Sequence, residues 1–78
     1  MSVSAYILIE SIPSQSGIIE KEVLHIAGVK FAHSVTGPYD VIAFIEKDDL
    51  SALSKAVSDI QAIESIRKTM TCVVIEME

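Results

Sequence analysis

The sequence predicts a single α+β domain, spanning residues 1–78, with the element order βαββαβ. Segments with the two-residue period of β-strands alternate with segments whose apolar residues follow helical spacing. A faint internal repeat supports the order, because residues 26–30 and 63–67 match in type about half a chain apart and each leads from helix to strand. This pattern is typical of the ferredoxin-like fold, a four-stranded antiparallel sheet in the order 4-1-3-2 with both helices on one face.

The first strand is predicted over residues 3–10, where both faces are apolar. One face carries Ala5, Ile7 and Ile9, and the other carries Tyr6 and Leu8. Helices that cover only one face leave the other without cover. We therefore expect a second sheet to pack on it, giving a face-to-face homodimer of α/β-barrel-like form.

The first helix follows the break at Pro13, with Ser14 or Ser16 as its N-cap. Its first turn carries Glu20, near the positive end of the helix dipole, and Gly28 is placed to end it. The apolar stripe of this helix is expected at Ile19, Val23 and Ile26.

A β-hairpin is predicted around Gly37 and Pro38, because these turn residues separate two apolar runs. The strand before the turn, residues 29–36, places these residues on one face: Val29, Phe31, His33 and Val35. The strand after the turn runs over residues 39–46 and places Val41, Ala43 and Ile45 opposite Ile42 and Phe44.

The second helix is predicted to begin at a cap formed by Asp48 or Asp49. Its apolar stripe is Leu53, Val57 and Ile60. The last strand, residues 67–76, carries on one face Thr69, Thr71, Val73 and Ile75, and on the other Met70, Cys72 and Val74.

The composition excludes several classes of function. The net charge is −5 and the six Lys and Arg residues are scattered, so no basic face can follow a nucleic-acid backbone. No run of about 18 apolar residues is present to span a membrane. Cys72 has no CxxC motif or histidine at ligand spacing, so we expect a buried thiol in a cytoplasmic protein, with no metal or cofactor. His33 is expected to be hydrogen-bonded or interfacial.

A candidate ligand site follows from the predicted topology, because strands three and four flank strand one and both begin at the same end of the sheet. The turn around Gly37, Tyr39 and Asp40 would then lie on the order of 10 Å from Thr69 and Thr71. Asp40 can accept from an ammonium group, the turn offers backbone donors for a carboxylate, and the threonines offer hydroxyls. This chemistry suits a free amino acid. The alternatives are that Asp40 caps its own turn and that the threonines are only good strand formers.

The chain also resembles the effector-binding (RAM) domain of the Lrp/AsnC transcription regulators. The resemblance rests on Ile-x-Gly-Val at residues 26–29, Thr-Gly-x-Tyr-Asp-Val at 36–41 and Ile-x-x-Ile-x-x-Thr-x-Thr at 63–71. It implies a dimer that assembles further into a ring, an octamer or decamer, with amino-acid effectors held between dimers near the turn and the Thr-x-Thr strand. Ser65 departs from the pattern, since the family usually has Gly there.

Full regulators of this family carry a helix-turn-helix domain ahead of the RAM domain, whereas this sequence reaches its first strand within a few residues of Met1. We therefore expect a stand-alone amino-acid sensor that does not bind DNA and that modulates a full-length Lrp/AsnC regulator. The alternatives are a small dimeric α/β-barrel enzyme, with His33, Asp40 and Tyr6 as candidate groups, and an assembly module without a ligand. The enzyme is disfavoured because no two of these groups have the spacing of a nucleophile and its base.

Overall fold

Four strands and two helices follow one another in the predicted order in the computed structural model, which describes residues 2–75. The strands are β1 (Val3–Ser11), β2 (Val29–Ser34), β3 (Val41–Lys47) and β4 (Ile66–Val73). The helices are α1 (Ser16–Leu24) and α2 (Leu50–Gln61). The sheet order is β2-β3-β1-β4 with every neighbouring pair antiparallel, so the predicted topology is confirmed.

The core lies between the helices and one face of the sheet. The alternation of β1 and β3 places their odd-numbered apolar residues in this core: Ala5, Ile7, Ile9, Val41, Ala43 and Ile45, all fully buried. The helices contribute Ile19, Val23, Leu53, Ala56 and Ile60 to the same cluster. Val57 and Ile26, predicted for the helix stripes, pack at its margin.

The opposite face of the sheet has no cover within the described chain, as predicted, and we call it the bare face. Its centre is an aromatic cluster in which Phe44 lies 4.9 Å from Tyr6 and 5.6 Å from Phe31, measured between ring centroids. His33 stacks on Phe31 at 5.1 Å. Cys72 lies opposite Tyr6 in the β1–β4 pairing and is exposed, so the expectation of a buried thiol is wrong for the single chain.

The strand β2 departs from the predicted alternation at its first residues. Val29 pairs with Ile45, but Phe31 pairs with Phe44, so the register shifts at Lys30. A bulge inserts one extra residue and reverses the facing of the residues on either side of it. Val29 therefore packs against the core, while Phe31 and His33 lie on the bare face, and the prediction that all three share a face is wrong.

The start of α1 also differs from prediction. Ser14 occupies a tight turn, with a φ of 71° and the Gln15 N–H donating to the Ile12 carbonyl at 3.2 Å. Neither predicted serine caps the helix, because the capping position falls to Gln15, whose side chain makes no capping bond. Ser14 cannot serve as the cap because its backbone is used to reverse the chain after Pro13.

Gly28 does not end α1, which stops at Leu24. Instead it has a φ of +97° and passes so close to β3 that an added Cβ would lie 2.8 Å from the Glu46 carbonyl oxygen. Asp49 is the cap of α2, accepting a hydrogen bond from the Ala52 N–H at 2.8 Å.

The internal repeat is visible in the connections from each helix to the next strand. The Val29 N–H donates to Ile26 O at 3.1 Å, and at the equivalent place Ile66 N–H donates to Ile63 O at 3.2 Å. Ser65 occupies the position equivalent to Gly28 and leads directly into β4, which begins at Ile66 rather than at the predicted residue 67. The strand ends at Val73, and the predicted end at Glu76 lies outside the described residues.

Candidate functional site

The turn between β2 and β3 lies against the carboxyl end of β1. The Asp40 N–H donates to the Ile9 carbonyl at 2.8 Å, and the Asp40 carbonyl accepts from the Val35 N–H at 2.9 Å. The backbone of Asp40 is therefore bonded both to β1 and to the other arm of the hairpin. This anchors the end of the turn to the centre of the sheet.

The Asp40 carboxylate extends this anchoring. Its Oδ2 atom accepts a hydrogen bond from the backbone N–H of Ser11 at 2.9 Å. Ser11 is the last residue of β1 and is 6% exposed, so the carboxylate satisfies a buried amide. Asp40 thus bonds to a neighbouring strand rather than capping its own turn. Its Oδ1 atom receives no hydrogen bond from residues 2–75 and is not fully buried.

The beginning of β4 flanks the same part of β1 from the other side. Ile9 is the register partner of Val41 in β3 and of Thr69 in β4. Two strand spacings separate the turn from Thr69, on the order of 10 Å. The Thr69 Oγ1 accepts a hydrogen bond from Gln61 Nε2 at 2.9 Å, so its hydroxyl faces α2.

The other predicted site residues, Tyr39, Gly37 and Thr71, lie at different distances from the carboxyl end of β1. Tyr39 reaches across the end of β1, with its hydroxyl 3.9 Å from the Met70 sulfur. Gly37, at the exposed tip of the turn, has a φ of +140°. Thr71 pairs with Ile7, one two-residue step further from the turn than Thr69. The structure therefore brings Tyr39, Asp40 and Thr69 around the end of β1, whereas Gly37 and Thr71 lie at the periphery.

The tip of the turn, residues 36–38, is exposed. A groove of about 240 Å³ runs between α2 and β4, lined by Leu50, Leu53, Ser54, Val57, Thr71 and Val73. A second groove, of about 260 Å³, lies beside α2 near Ala27 and Lys47. Of the predicted site residues, Thr71 lines the first groove, and none lines the second.

Sequence reasoning missed a contact that holds the other arm of the hairpin. The Glu20 Oε1 atom accepts two hydrogen bonds from Ser34, one from its hydroxyl at 2.7 Å and one from its N–H at 2.9 Å. These two bonds lower the pKa of the Glu20 carboxyl below its usual range. The prediction that Glu20 lies in the first turn of α1 is wrong, because the helix begins at Ser16 and its first turn holds no acidic residue. The Glu20 carboxylate bonds to β2 instead. No spacing signal links two residues that meet only through tertiary packing.

Two further observations bear on the class of site. Within residues 2–75, no three His, Cys, Asp or Glu side chains lie close enough together to hold a metal ion. No described helix combines the length and the apolar character needed to cross a membrane.

Comparison with known proteins gives a family match over almost the entire chain. Residues 4–77 match the profile of the Lrp/AsnC ligand binding domain. The HTH-type transcriptional regulator LysM of Sulfurisphaera tokodaii is 27% identical over 59 residues, which cover 76% of this chain and 42% of LysM. A second LysM, from Saccharolobus solfataricus, is 20% identical over 74 residues, or 94% of this chain and 52% of that protein. The chain thus spans about half the length of these regulators.

Solved structures share the fold along the full domain. TTHA0845 from Thermus thermophilus superposes with a TM-score of 0.90 at 25% identity, covering 97% of this chain and 96% of that one. The transcriptional regulator NMB0573 of Neisseria meningitidis, solved as a complex with L-Met, superposes with a TM-score of 0.79 at 17% identity, covering 95% of this chain and 50% of the regulator.

The matched family is a regulatory ligand-binding domain and its sequence relatives are transcriptional regulators, so this domain is not an enzyme. The match covers both helices, all four strands and the turn that carries Asp40. The chain therefore belongs to the Lrp/AsnC family of ligand-binding domains.

Proposed function

We propose that this domain binds a free amino acid as its effector at the turn between β2 and β3. The observation that carries the proposal is the Asp40 carboxylate, which uses one oxygen for the Ser11 amide and has the other open beside the turn. The open oxygen accepts from the ammonium group of the effector. The backbone N–H groups around Gly37 donate to its carboxylate, and the Tyr39 hydroxyl contributes a polar contact. Thr69, whose hydroxyl faces α2, lines the helix side of the site.

The L-Met complex of NMB0573 supports an amino acid as the class of ligand. That regulator shares the fold of this chain at 17% identity, so the particular amino acid is left to experiment. The position of Thr71 in the apolar groove beside α2 gives it a different part in the proposal. It would contact the effector from a second subunit or along the β4 edge rather than share a pocket with Asp40 within one chain.

A second copy of the chain completes the site in this proposal, because the turn is too open to enclose a ligand by itself. The bare face suits an isologous dimer. Its apolar centre consists of Tyr6, Leu8, Phe31, Ile42, Phe44 and Met70, and its margin carries the cross-strand pairs Glu10–Lys68 and Ser4–Glu46. An apolar centre with a polar rim is the usual anatomy of a protein interface. Dimers then meet in a ring, an octamer or decamer, with effectors between them.

The biological role we infer is modulation of a full-length Lrp/AsnC regulator in the cytoplasm. Such a regulator contains a domain of this fold, so mixed assemblies can form through the same surfaces. The acidic charge of −5 is consistent with a domain that has no direct affinity for DNA. A ligand-free assembly module is the competing function, and the open Asp40 oxygen favours effector binding over it.

A thermal-shift screen of the free L-amino acids at fixed protein concentration tests effector binding. A ligand present at 100 times its Kd stabilises the native state by about 2.7 kcal/mol. For a domain of this size that corresponds to a rise of roughly 10 to 20 °C in Tm. The D-enantiomer of each hit is the control, since it has the same charge but the wrong geometry. If no L-amino acid at millimolar concentration raises Tm, effector binding is refuted and the assembly module is favoured.

A further inference from the structure

Ser34 is the last residue of β2, which is an edge strand of the sheet. In an antiparallel pair, successive N–H groups point alternately toward and away from the neighbouring strand. The Val35 N–H points inward to Asp40 O, so the Ser34 N–H points outward from the edge. There it meets Glu20 Oε1 of α1, at 2.9 Å, and the Ser34 hydroxyl donates to the same oxygen at 2.7 Å.

This contact and the Asp40 contacts hold the turn at both of its ends. Ser34 at the start is bonded to α1, and Asp40 at the end is bonded to Ile9 and Ser11 of β1. Between these anchors, the backbone N–H groups of residues 36, 37 and 39 make no hydrogen bond to any described residue, and Pro38 has no N–H. The conformation of this segment is therefore set by how firmly its two ends are held.

We propose that Glu20 is a positioning residue for the effector-binding turn and acts on it through Ser34. The inference rests on the proposed function, because it assigns Glu20 a part in the same site. A binding loop held in its bound conformation loses less conformational entropy on binding, so its ligand affinity is higher. The anchor at Asp40 contacts the ligand itself, whereas Glu20 would act without touching it.

The charge of Glu20 is part of the mechanism, since an ionised carboxylate accepts both Ser34 bonds more strongly than a neutral carboxyl. The charges of His33 on β2 and Lys21 on α1 also favour the ionised form, while partial desolvation opposes it less strongly than the Ser34 bonds favour it. Because the folded pKa of Glu20 is lowered, the contact is complete at neutral pH. It weakens as pH falls from about 4.3, the ordinary Glu value, through the lower folded pKa.

The first test measures amide hydrogen exchange of the unliganded protein by NMR. The variants are Glu20→Ala and Ser34→Ala, with Glu22→Ala as the matched control, because Glu22 is an exposed carboxylate on the same helix. We expect exchange of the Val35 amide, which donates to Asp40 O, to become about threefold to tenfold faster in the first two variants, with Ile7 in the sheet centre unchanged. Equal turn exchange in Glu20→Ala and Glu22→Ala would overturn the inference.

The second test uses pH and the conservative variant Glu20→Gln, which keeps an acceptor oxygen and lacks the charge. In the parent, turn exchange corrected for its intrinsic pH dependence should rise as Glu20 is protonated, and in Glu20→Gln this rise should be smaller. A merely structural role of the side chain would not produce that difference. A rise of the same size in both proteins would show that another group is responsible and would refute the mechanism. If Glu20→Ala fails to fold, Ser34→Ala and Glu20→Gln decide the question.

The third test measures calorimetric affinity for the best L-amino acid of the screen. We expect Glu20→Ala to weaken binding about threefold to tenfold, Glu20→Gln to weaken it less, and Glu22→Ala to leave it unchanged. If the parent binds no amino acid, the proposed function fails, yet the exchange measurements still decide whether Glu20 positions the turn. If the parent binds and Glu20→Ala binds equally tightly, only the positioning role is refuted.

Discussion

Replacing Asp40 separates its part in the fold from its part in ligand binding. Its two carboxylate oxygens have different surroundings, since Oδ2 accepts from the Ser11 N–H at 2.9 Å and Oδ1 is open. Asp40→Ala removes both oxygens. Asp40→Asn keeps one acceptor oxygen for Ser11 and turns an NH₂ group toward the effector. The two variants should therefore agree in their effect on binding and differ in their effect on stability.

The size of the stability effect follows from the burial of Ser11, which is 6% exposed. In Asp40→Ala its amide loses its acceptor with little access to water, which costs about 1 to 3 kcal/mol. In a domain of this size the corresponding fall in Tm is roughly 4 to 24 °C. Asp40→Asn retains the bond in neutral form and should lose about 1 kcal/mol or less. The structure thus gives Asp40 a part in folding as well as in the proposed ligand binding.

The size of the binding effect follows from the charge. A charge-assisted hydrogen bond to an ammonium group contributes about 1.5 to 3 kcal/mol, so both variants should bind an amino acid roughly tenfold to a hundredfold more weakly. Urea unfolding at fixed protein concentration and titration calorimetry measure the two effects. Asp40→Ala as stable as the parent would refute the role assigned to the Ser11 bond. Asp40→Asn binding as tightly as the parent would refute the ammonium contact.

Three further predictions concern other parts of the molecule. Gly28→Ala should lower the free energy of unfolding by about 2 kcal/mol or more, because φ is +97° and the new methyl would lie 2.8 Å from Glu46 O. The control Gly17→Ala, with nothing within 4 Å of the new methyl, should be neutral or stabilising by up to about 1 kcal/mol. Urea unfolding compares the two variants, and equal losses of stability would contradict the argument. Phe44→Asp, at the centre of the bare face, should dissociate the proposed dimer at micromolar concentration, as measured by sedimentation. The control Ser51→Asp, at an exposed site on α2, should leave the dimer intact. A parent protein that is already a stable monomer would disprove the bare-face dimer. The isolated domain should not shift DNA in a gel at physiological salt, where binding at nanomolar protein would contradict the proposed role, and a shift that depends on added full-length regulator would support it.

The local pattern of the sequence was enough to predict the topology. Ala5, Ile7 and Ile9 alternate with Tyr6 and Leu8, and this alternation needs only the two-residue period of a strand to assign the two faces. The repeat at residues 26–30 and 63–67 then indicated two equivalent halves, which the hydrogen bonds of both connections confirm. The same reasoning predicted that one sheet face would be apolar and uncovered.

The candidate site was only partly predictable, because local pattern determines strand order but not individual side-chain contacts. Spacing along the chain brought the turn of Asp40 and the start of β4 to one end of the sheet, because strand order and direction determine which ends meet. The family resemblance indicated the same residues. It did not indicate that Asp40 bonds to Ser11. The strand β1 continues to Ser11, two residues beyond its last pairing with β3 at Ile9, and the Asp40 carboxylate accepts from the Ser11 N–H there.

The remaining features were decided by the tertiary structure alone. The bulge at Lys30 reverses the facing of Val29 relative to Phe31, although the sequence there alternates without a break. The turn at Ser14 moves the helix cap to Gln15, and Glu20 bonds to Ser34 across the packing of α1 on β2. Periodicity reports only which face a residue occupies, whereas these contacts depend on the ends and offsets of elements that are distant in sequence and become neighbours when the chain folds.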